Sequence, residues 1–99
     1  MAGHDVEVDA EEFTAAGPDQ RKKLREHGAR LSVDPLLGDR IPRDRVPREF
    51  RKLPNLFRLE LPGAWRALYT VATRPGRTDL IRIVWIGSHK RYDRLFGYS

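Results

Sequence analysis

The chain has 99 residues, of which 19 are lysine or arginine and 14 are aspartate or glutamate, giving a formal net charge of +5 at pH 7. Cysteine is absent, which excludes both a disulfide framework and a thiolate metal site. No apolar run approaches membrane length, and the acidic N-terminus lacks the apolar segment of a secretion signal. We therefore expect one cytoplasmic domain over residues 1–99, with no membrane partner.

The charge is unevenly distributed along the chain. Residues 1–20 contain six acids and no lysine or arginine, so residues 21–99 hold 19 basic and eight acidic side chains, a net charge of +11. Fifteen of the basic residues are arginines, whose guanidinium fork suits phosphate oxygens. This charge predicts a polyanionic partner, with nucleic acid as the first candidate. A charged, solvated surface without such a partner is the alternative.

The first third of the chain predicts a strand and two helices. Weak alternation over residues 4–9 indicates a short strand that joins a sheet. A short helix is expected from Asp9 or Ala10 through Phe13, with acidic side chains in its first turn, and the Gly-Pro pair at 17 and 18 ends it. Residues 18–32 carry leucines at helical spacing and predict the main helix, which covers the core.

Residues 34–54 show no regular pattern, because prolines at positions 35, 42, 47 and 54 prohibit a long helix. An ordered but irregular crossing is expected, and it is rich in cations. Those interpreted as solvated loop residues are Arg40, Arg43 and Arg45. Those that lead into the next strand, and are candidates for binding a phosphate backbone, are Arg48, Arg51 and Lys52.

Three runs in the second half alternate between apolar and polar residues: 57–61, 65–71 and 81–85. A period of two is typical of strands with one buried face, and the β-branched and aromatic content agrees. Ile81, Ile83 and Trp85 are expected on the core side of the last strand. The residues expected together on the opposite surface are Arg58, Glu60, Arg66 and Arg82.

This segregation depends on the register of the first hairpin. A two-residue turn would place an arginine opposite a core leucine. A three-residue loop over residues 62–64 instead pairs Glu60 with Arg66 and Arg58 with Leu68. We therefore predict the three-residue loop or an equivalent bulge, with one of its last two residues taking the unusual dihedral angles.

The order of these elements, together with the segment WRALYTV from Trp65 and the segment IGSHKRYDR from Ile86, resembles the RelE/ParE toxin superfamily, and most closely its archaeal RelE-like branch. The resemblance implies an α+β domain of the RelE-like fold. This fold has an antiparallel sheet of about four strands, two N-terminal helices packed on one face and a short C-terminal helical segment.

The resemblance also implies a function. RelE-like toxins cut mRNA, often in the ribosomal decoding site, without a metal or cofactor, whereas ParE-like toxins poison DNA gyrase. Both usually pair with an antitoxin. Two hypotheses follow: a RelE-type mRNA endoribonuclease bound to the ribosome, or a non-catalytic binding module. The second would be either a ParE-like gyrase binder or a RelE-like relative without nuclease activity.

For RNA cleavage the ribose 2′-hydroxyl attacks the adjacent phosphorus, which requires a base, an acid and cations. The resemblance matches Arg66 to an arginine that steadies the transition state, and Arg58 to a lysine that contacts the scissile phosphate. Glu60 stands where a second lysine is usual. It could act as a base or form a salt bridge with Arg66, and the salt bridge is the stronger expectation.

His89 and Tyr92 lie in the tail segment where members of the family place acid, base or base-stacking groups. His89 could instead be a surface or capping residue, and Tyr92 could pack at helical spacing from Leu95. Tyr98 is a rival for the aromatic role. The residues expected to contact RNA are Arg48, Arg51, Lys52, Arg58, Arg82, Lys90 and Arg91. His4 and His27 are isolated from other ligand types, so no metal site is expected.

Overall fold

The computed structural model describes residues 4–76 and 79–97, and its fold is α+β. The strands are β1 (Asp5–Val8), β2 (Asp39–Arg40), β3 (Phe57–Leu61), β4 (Trp65–Ala72) and β5 (Leu80–Ser88). The helices are α1 (Ala10–Ala15), α2 (Pro18–Leu31) and α3 (His89–Phe96). One sheet contains all five strands in the order β1-β5-β4-β3-β2. Within the described ranges, no helix has the length and apolar character needed to cross a membrane.

The β3–β4 hairpin confirms the predicted register. Glu60 pairs with Arg66, and Arg58 pairs with Leu68. The three-residue loop takes left-handed dihedrals at two positions, with φ of 71° at Gly63 and 59° at Ala64. A glycine adopts this conformation without strain, whereas alanine is rarely found there. The loop therefore directs both charged side chains of the pair to the same side of the sheet.

Both N-terminal helices form where the sequence predicts them. Asp9 caps α1 by accepting a hydrogen bond from the Glu11 amide at 3.0 Å, and Pro18 occupies the first turn of α2. The helices cover one face of the sheet, where the main core includes Leu24 and Leu31 of α2 packed with Tyr69 and other buried strand residues. Removal of this apolar surface from water is the main stabilising contribution on that face.

The sheet differs from the predicted four antiparallel strands. It has five strands and is mixed, because β1 runs parallel to β5 while the remaining pairs are antiparallel. The additional strand β2 lies inside the region expected to be irregular and pairs with β3. Two residues are too few for alternation to be visible in the sequence, and β2 is held by tertiary contacts. Alternation also carries no information on strand direction.

The face opposite α1 and α2 is also different from the prediction, because it carries a second hydrophobic core. A bulge leaves Val84 unpaired, so that Ile83 pairs with Tyr69 but Trp85 pairs with Leu68. Trp85 therefore points away from the main core, and the expectation that it lies beside Ile83 was wrong. The second core is formed by Leu68, Trp85, α3 and the crossing before β3, with Ile41, Val46, Leu56 and Tyr92 among its buried residues.

Candidate active site

The candidate site lies at the end of β4 where the chain leaves β5 and enters α3. Arg66 pairs with Gly87 across the two strands, and the Ser88 hydroxyl then caps α3 by accepting a hydrogen bond from the Arg91 amide at 3.4 Å. A Cβ atom at Gly87 would lie 2.6 Å from the Trp85 ring, so this position requires glycine. Helix α3 thus begins with His89, directly beside Arg66.

Helix α2 supports the hairpin from the opposite face. The Glu60 carbonyl can only accept, so the 3.1 Å contact with His27 Nε2 is a hydrogen bond that the histidine donates. Gln20 donates to the Pro62 carbonyl at 2.9 Å. These two contacts fix the backbone of β3 and its loop relative to the main helix. The position of the Glu60 side chain on the other face is therefore set by a rigid support.

Arg66 is the centre of the site. Its Nε lies 3.3 Å from Glu60 Oε2, and its guanidinium carbon lies 4.6 Å from the centroid of the Tyr92 ring. One of its terminal nitrogens lies 3.2 Å from His89 Nδ1. The side chain is 20% exposed, so one part of the guanidinium faces solvent while the rest is held by three neighbours. This arrangement combines an ion pair, a cation–π contact and a hydrogen bond.

The contacts of His89 determine its protonation pattern. A guanidinium has only donors, so the Nδ1 atom that faces Arg66 must accept and carries no proton. The other ring nitrogen, Nε2, then carries the proton and donates to Asp93 Oδ2 at 3.1 Å. In this tautomer the imidazole of His89 is oriented by a carboxylate one helical turn later. Its Nδ1 lone pair becomes available as soon as Arg66 turns away.

Arg58 forms the second cationic position. It donates to Asp39 Oδ2 at 3.2 Å, and its Nε lies 3.3 Å from Glu60 Oε1. The second contact is an ion pair without hydrogen-bond alignment, so the buried Nε–H lacks an acceptor among the described side chains. The pKa of Arg58 is raised above its already high ordinary value, mainly by a hydrogen bond with Tyr92, while burial acts in the opposite direction. Arg58 is thus a permanent cation with an unused donor.

Tyr92 is buried, with 3% of its surface exposed. Its ring stacks on Phe96 at a centroid distance of 4.3 Å and meets Trp85 edge to face at 6.1 Å. Because Arg66 lies over the same ring, Tyr92 has no free face on which an RNA base could stack. Tyr92 lines a pocket of about 150 Å³ together with Arg58, so Tyr92 lies beside a cation of the site.

The other predicted contact residues are spread over a wider surface. Arg82 pairs with Thr70 and so shares the face of Arg58 and Arg66. Thr70 lies four residues from Arg66 along β4, which is roughly 13 Å at about 3.3 Å per residue. Arg82 does not take part in the cluster. The remaining residues predicted to contact RNA are exposed on the crossing and on α3, and they are Arg48, Arg51, Lys52, Lys90 and Arg91.

Three residues near the site were not among the site residues predicted from the sequence. Asp93 could have been found from its i, i+4 spacing to His89, which places both on one side of a helix. Asp39 had no local signal, since only the pairing of β2 with β3 brings it to Arg58. Arg45, interpreted from the sequence as solvated, lines the pocket with Arg58 and also a larger neighbouring groove.

Tyr98, the rival aromatic candidate, lies outside the described residues. Within residues 4–76 and 79–97, no group of three or more histidine, aspartate or glutamate side chains is arranged to hold a metal ion. Comparisons with protein-family models, with curated proteins and with solved structures find no match to this chain. The cluster of Arg58, Glu60, Arg66 and His89 is the arrangement in the described residues that can act on a substrate.

Proposed function

We propose that this chain is a RelE-like toxin, with a variant of the RelE-like fold, that cleaves mRNA without a metal in the ribosomal decoding site. The observation that carries the proposal is the contact of Arg66 with both Glu60 and His89, one turn from Asp93 and beside Arg58. Two guanidinium groups and an imidazole within one cluster supply the groups that phosphodiester transfer needs.

In the proposed reaction the ribose 2′-oxygen forms a bond to the adjacent phosphorus while the bond from phosphorus to the 5′-oxygen breaks. The products are a 2′,3′-cyclic phosphate and a free 5′-hydroxyl. Negative charge develops on the non-bridging oxygens, and Arg58 and Arg66 stabilise it. The unused Nε–H of Arg58 is a donor for one of these oxygens.

His89 is the proposed proton acceptor. When Arg66 turns to the phosphate, its hydrogen bond to Nδ1 ends, and this lone pair can take the proton of the 2′-hydroxyl. Asp93 holds the opposite nitrogen at 3.1 Å and faces the imidazolium that results. The leaving 5′-oxygen takes its proton from the Tyr92 hydroxyl, which lines the same pocket as Arg58.

Glu60 has a different role in this scheme. Both of its carboxylate oxygens contact arginines, each at 3.3 Å, so each oxygen already pairs with a cation. It holds Arg58 and Arg66 in position before the RNA binds. An incoming phosphate competes with this carboxylate for the same two cations.

A second candidate function is a binding module without catalysis, either a ParE-like gyrase binder or a RelE-like relative without nuclease activity. The observation that favours it is the pairing of Glu60 with both cations, together with the burial of Tyr92. In that case the carboxylate neutralises the phosphate-binding position permanently. The two candidates make opposite predictions for RNA cleavage.

The test is cleavage of RNA by the purified protein, with and without ribosomes and in the presence of EDTA. Arg66→Ala is expected to lower the rate by about 10²–10³-fold. The matched control is Arg30→Ala, which removes an exposed arginine at the end of α2 on the other face. A substrate with a 2′-deoxy sugar at the cleaved position should remain intact.

Each outcome decides between the candidates. Cleavage that persists in Arg66→Ala at the rate of the control would refute the assigned site. Cleavage of the 2′-deoxy substrate would refute the proposed chemistry. No cleavage by the unaltered protein, with or without ribosomes, would favour the binding module.

The proposed function includes a cognate antitoxin. A net charge of +11 over residues 21–99 fits an acidic or amphipathic segment that neutralises the positive face. Co-expression with the adjacent reading frame should yield a stable complex and relieve growth inhibition. A frame that neither binds nor relieves inhibition would count against this partner.

A further inference from the structure

The surface around α3 contains three depressions that share residues. The largest, about 440 Å³, lies between the crossing and the end of α3 and is lined in part by Arg45, Arg51, Leu95 and Phe96. It shares Arg45 and Phe96 with the pocket beside Arg58. It shares Leu95 with a third depression of about 270 Å³, which is lined by Trp85 and by arginines of α3. Neighbouring depressions therefore share lining residues.

We call these neighbouring depressions the α3 trench, whose lining residues include Arg45, Arg51, Arg91, Arg94, Leu95 and Phe96. Its charged lining residues include these four arginines, two from the crossing and two from α3, and the acid Asp44, while the pocket beside Arg58 adds Asp39 and Arg40. Leu95 and Phe96 provide an apolar surface between them. Cations beside an apolar surface suit a chain with a charged backbone and flat bases.

We propose that the α3 trench binds a short single-stranded segment of the substrate RNA next to the reacting phosphate. This inference rests on the proposed function, because one end of the trench is the pocket lined by Arg58 and Tyr92. Helix α3 has eight residues and is roughly 12 Å long. At about 3.4 Å per stacked nucleotide, a segment laid along α3 would span three or four nucleotides.

Two features favour RNA over an acidic peptide as the occupant. The trench shares Arg45 and Phe96 with the pocket beside Arg58, whose buried Nε–H lacks an acceptor and is the position proposed for a phosphate. Arg91 lies over the Trp85 ring, with its guanidinium carbon 5.7 Å from the ring centroid, and so presents a flat cationic surface at the far end. Flat guanidinium groups stack on nucleobases as well as contact phosphates.

The experiment measures binding of a fluorescent RNA hexamer with 2′-deoxy sugars that prevent cleavage. One variant combines Arg45→Ala with Arg51→Ala, and another combines Arg91→Ala with Arg94→Ala. The control combines Lys22→Ala with Arg30→Ala, two exposed α2 residues, and so removes the same charge from the opposite face. Circular dichroism of each variant checks that it folds.

Each trench variant should weaken hexamer binding at least tenfold relative to the control. The slope of log K against log salt should fall by about 1.4, since each lost phosphate contact contributes roughly 0.7 for single strands. Binding equal to that of the control would overturn the proposal. An acidic dodecapeptide that binds less tightly to the trench variants than to the control, while RNA binds equally to all of them, would overturn the proposal in favour of a peptide site.

Cleavage assays separate this inference from the proposed function. A dinucleotide reaches only the reacting pocket, whereas a cleavable hexamer also enters the trench. The loss of kcat/KM in the trench variants should be at least tenfold greater for the hexamer than for the dinucleotide, and equal losses would refute the inference. If the protein cleaves neither substrate but hexamer binding still depends on the trench, the trench stands and the nuclease function fails.

Discussion

Replacing Glu60 by glutamine removes the carboxylate that lies between Arg58 and Arg66 while keeping the size of the side chain. In the native arrangement each carboxylate oxygen lies 3.3 Å from one guanidinium nitrogen. The substitution therefore frees both cations for a phosphate. It also distinguishes a carboxylate that positions the arginines from one that takes a proton.

The expected gain in phosphate affinity follows from these distances and from the exposure of the Glu60 side chain. Two unit charges about 3.3 Å apart attract by about 1.3 kcal/mol at the dielectric constant of water and by more where water is partly excluded. Since the Glu60 side chain is 59% exposed, screening brings each pair to about 1 kcal/mol or less. Loss of this competition should strengthen phosphate binding by about 1–2 kcal/mol, or roughly 5- to 30-fold.

The assay is binding of an uncleavable 2′-deoxy RNA at low and physiological salt, followed by single-turnover cleavage of the ribose form. Glu60→Gln should bind more tightly than the unaltered protein, and the gain should shrink as salt rises. The control is Glu26→Gln, because Glu26 lies on α2 with an ion pair to Lys23 and carries the same charge away from the site. Cleavage should fall less than about tenfold.

Two results would contradict this reasoning. A 10²–10⁴-fold loss of the cleavage rate, with tight binding retained, would identify Glu60 as the general base and displace His89 from that role. Equal changes in RNA affinity for Glu60→Gln and Glu26→Gln would mean that only net charge matters. In that case the cluster would not be a phosphate site.

Three further changes test the fold and the site. Tyr69→Phe should lower the free energy of unfolding by about 1–3 kcal/mol in urea titrations, because the buried hydroxyl donates to the Pro35 carbonyl and accepts from the Gly38 amide, each at 2.9 Å. Burial raises the pKa of Tyr69, so the unfolded chain releases this proton first above about pH 10. The difference in the free energy of unfolding between the native protein and Tyr69→Phe should then shrink by up to about 1.4 kcal/mol for each pH unit above this value. A difference that stays constant with pH would contradict the burial argument. Gly38→Ala should cost about 1–3 kcal/mol in the same titration, because the new Cβ would lie 2.6 Å from a backbone carbonyl oxygen of β3; unchanged stability would refute this. Asp93→Asn keeps an acceptor for His89 but removes the charge that faces the imidazolium, so kcat should fall roughly tenfold or more while KM stays within about twofold. A change confined to KM would exclude a role for Asp93 in supporting His89 as the proton acceptor.

The local pattern of the sequence determined four of the five strands and the hairpin register. Alternation over residues 57–61 and 65–71 required that Glu60 and Arg66 share a face, and the loop at 62–64 has the length that this pairing needs. The two N-terminal helices followed from caps, prolines and leucine spacing, all of which act within a few residues. Such signals depend on short-range sterics and on one buried face, so they can be identified without knowledge of the fold.

The tertiary structure alone decided what covers the other face and which groups meet there. The bulge at Val84 reversed the direction of Trp85, and a bulge is a local break in pairing that alternation cannot show. Burial of Tyr92 and the approach of Asp39 to Arg58 both come from long-range packing of α3, β2 and the crossing. The residue types of the site and the pairing of Glu60 with Arg66 were visible in the chain. The contacts made by Asp39, His89 and Tyr92 were not, because contacts between distant segments depend on three-dimensional distance and not on spacing along the sequence.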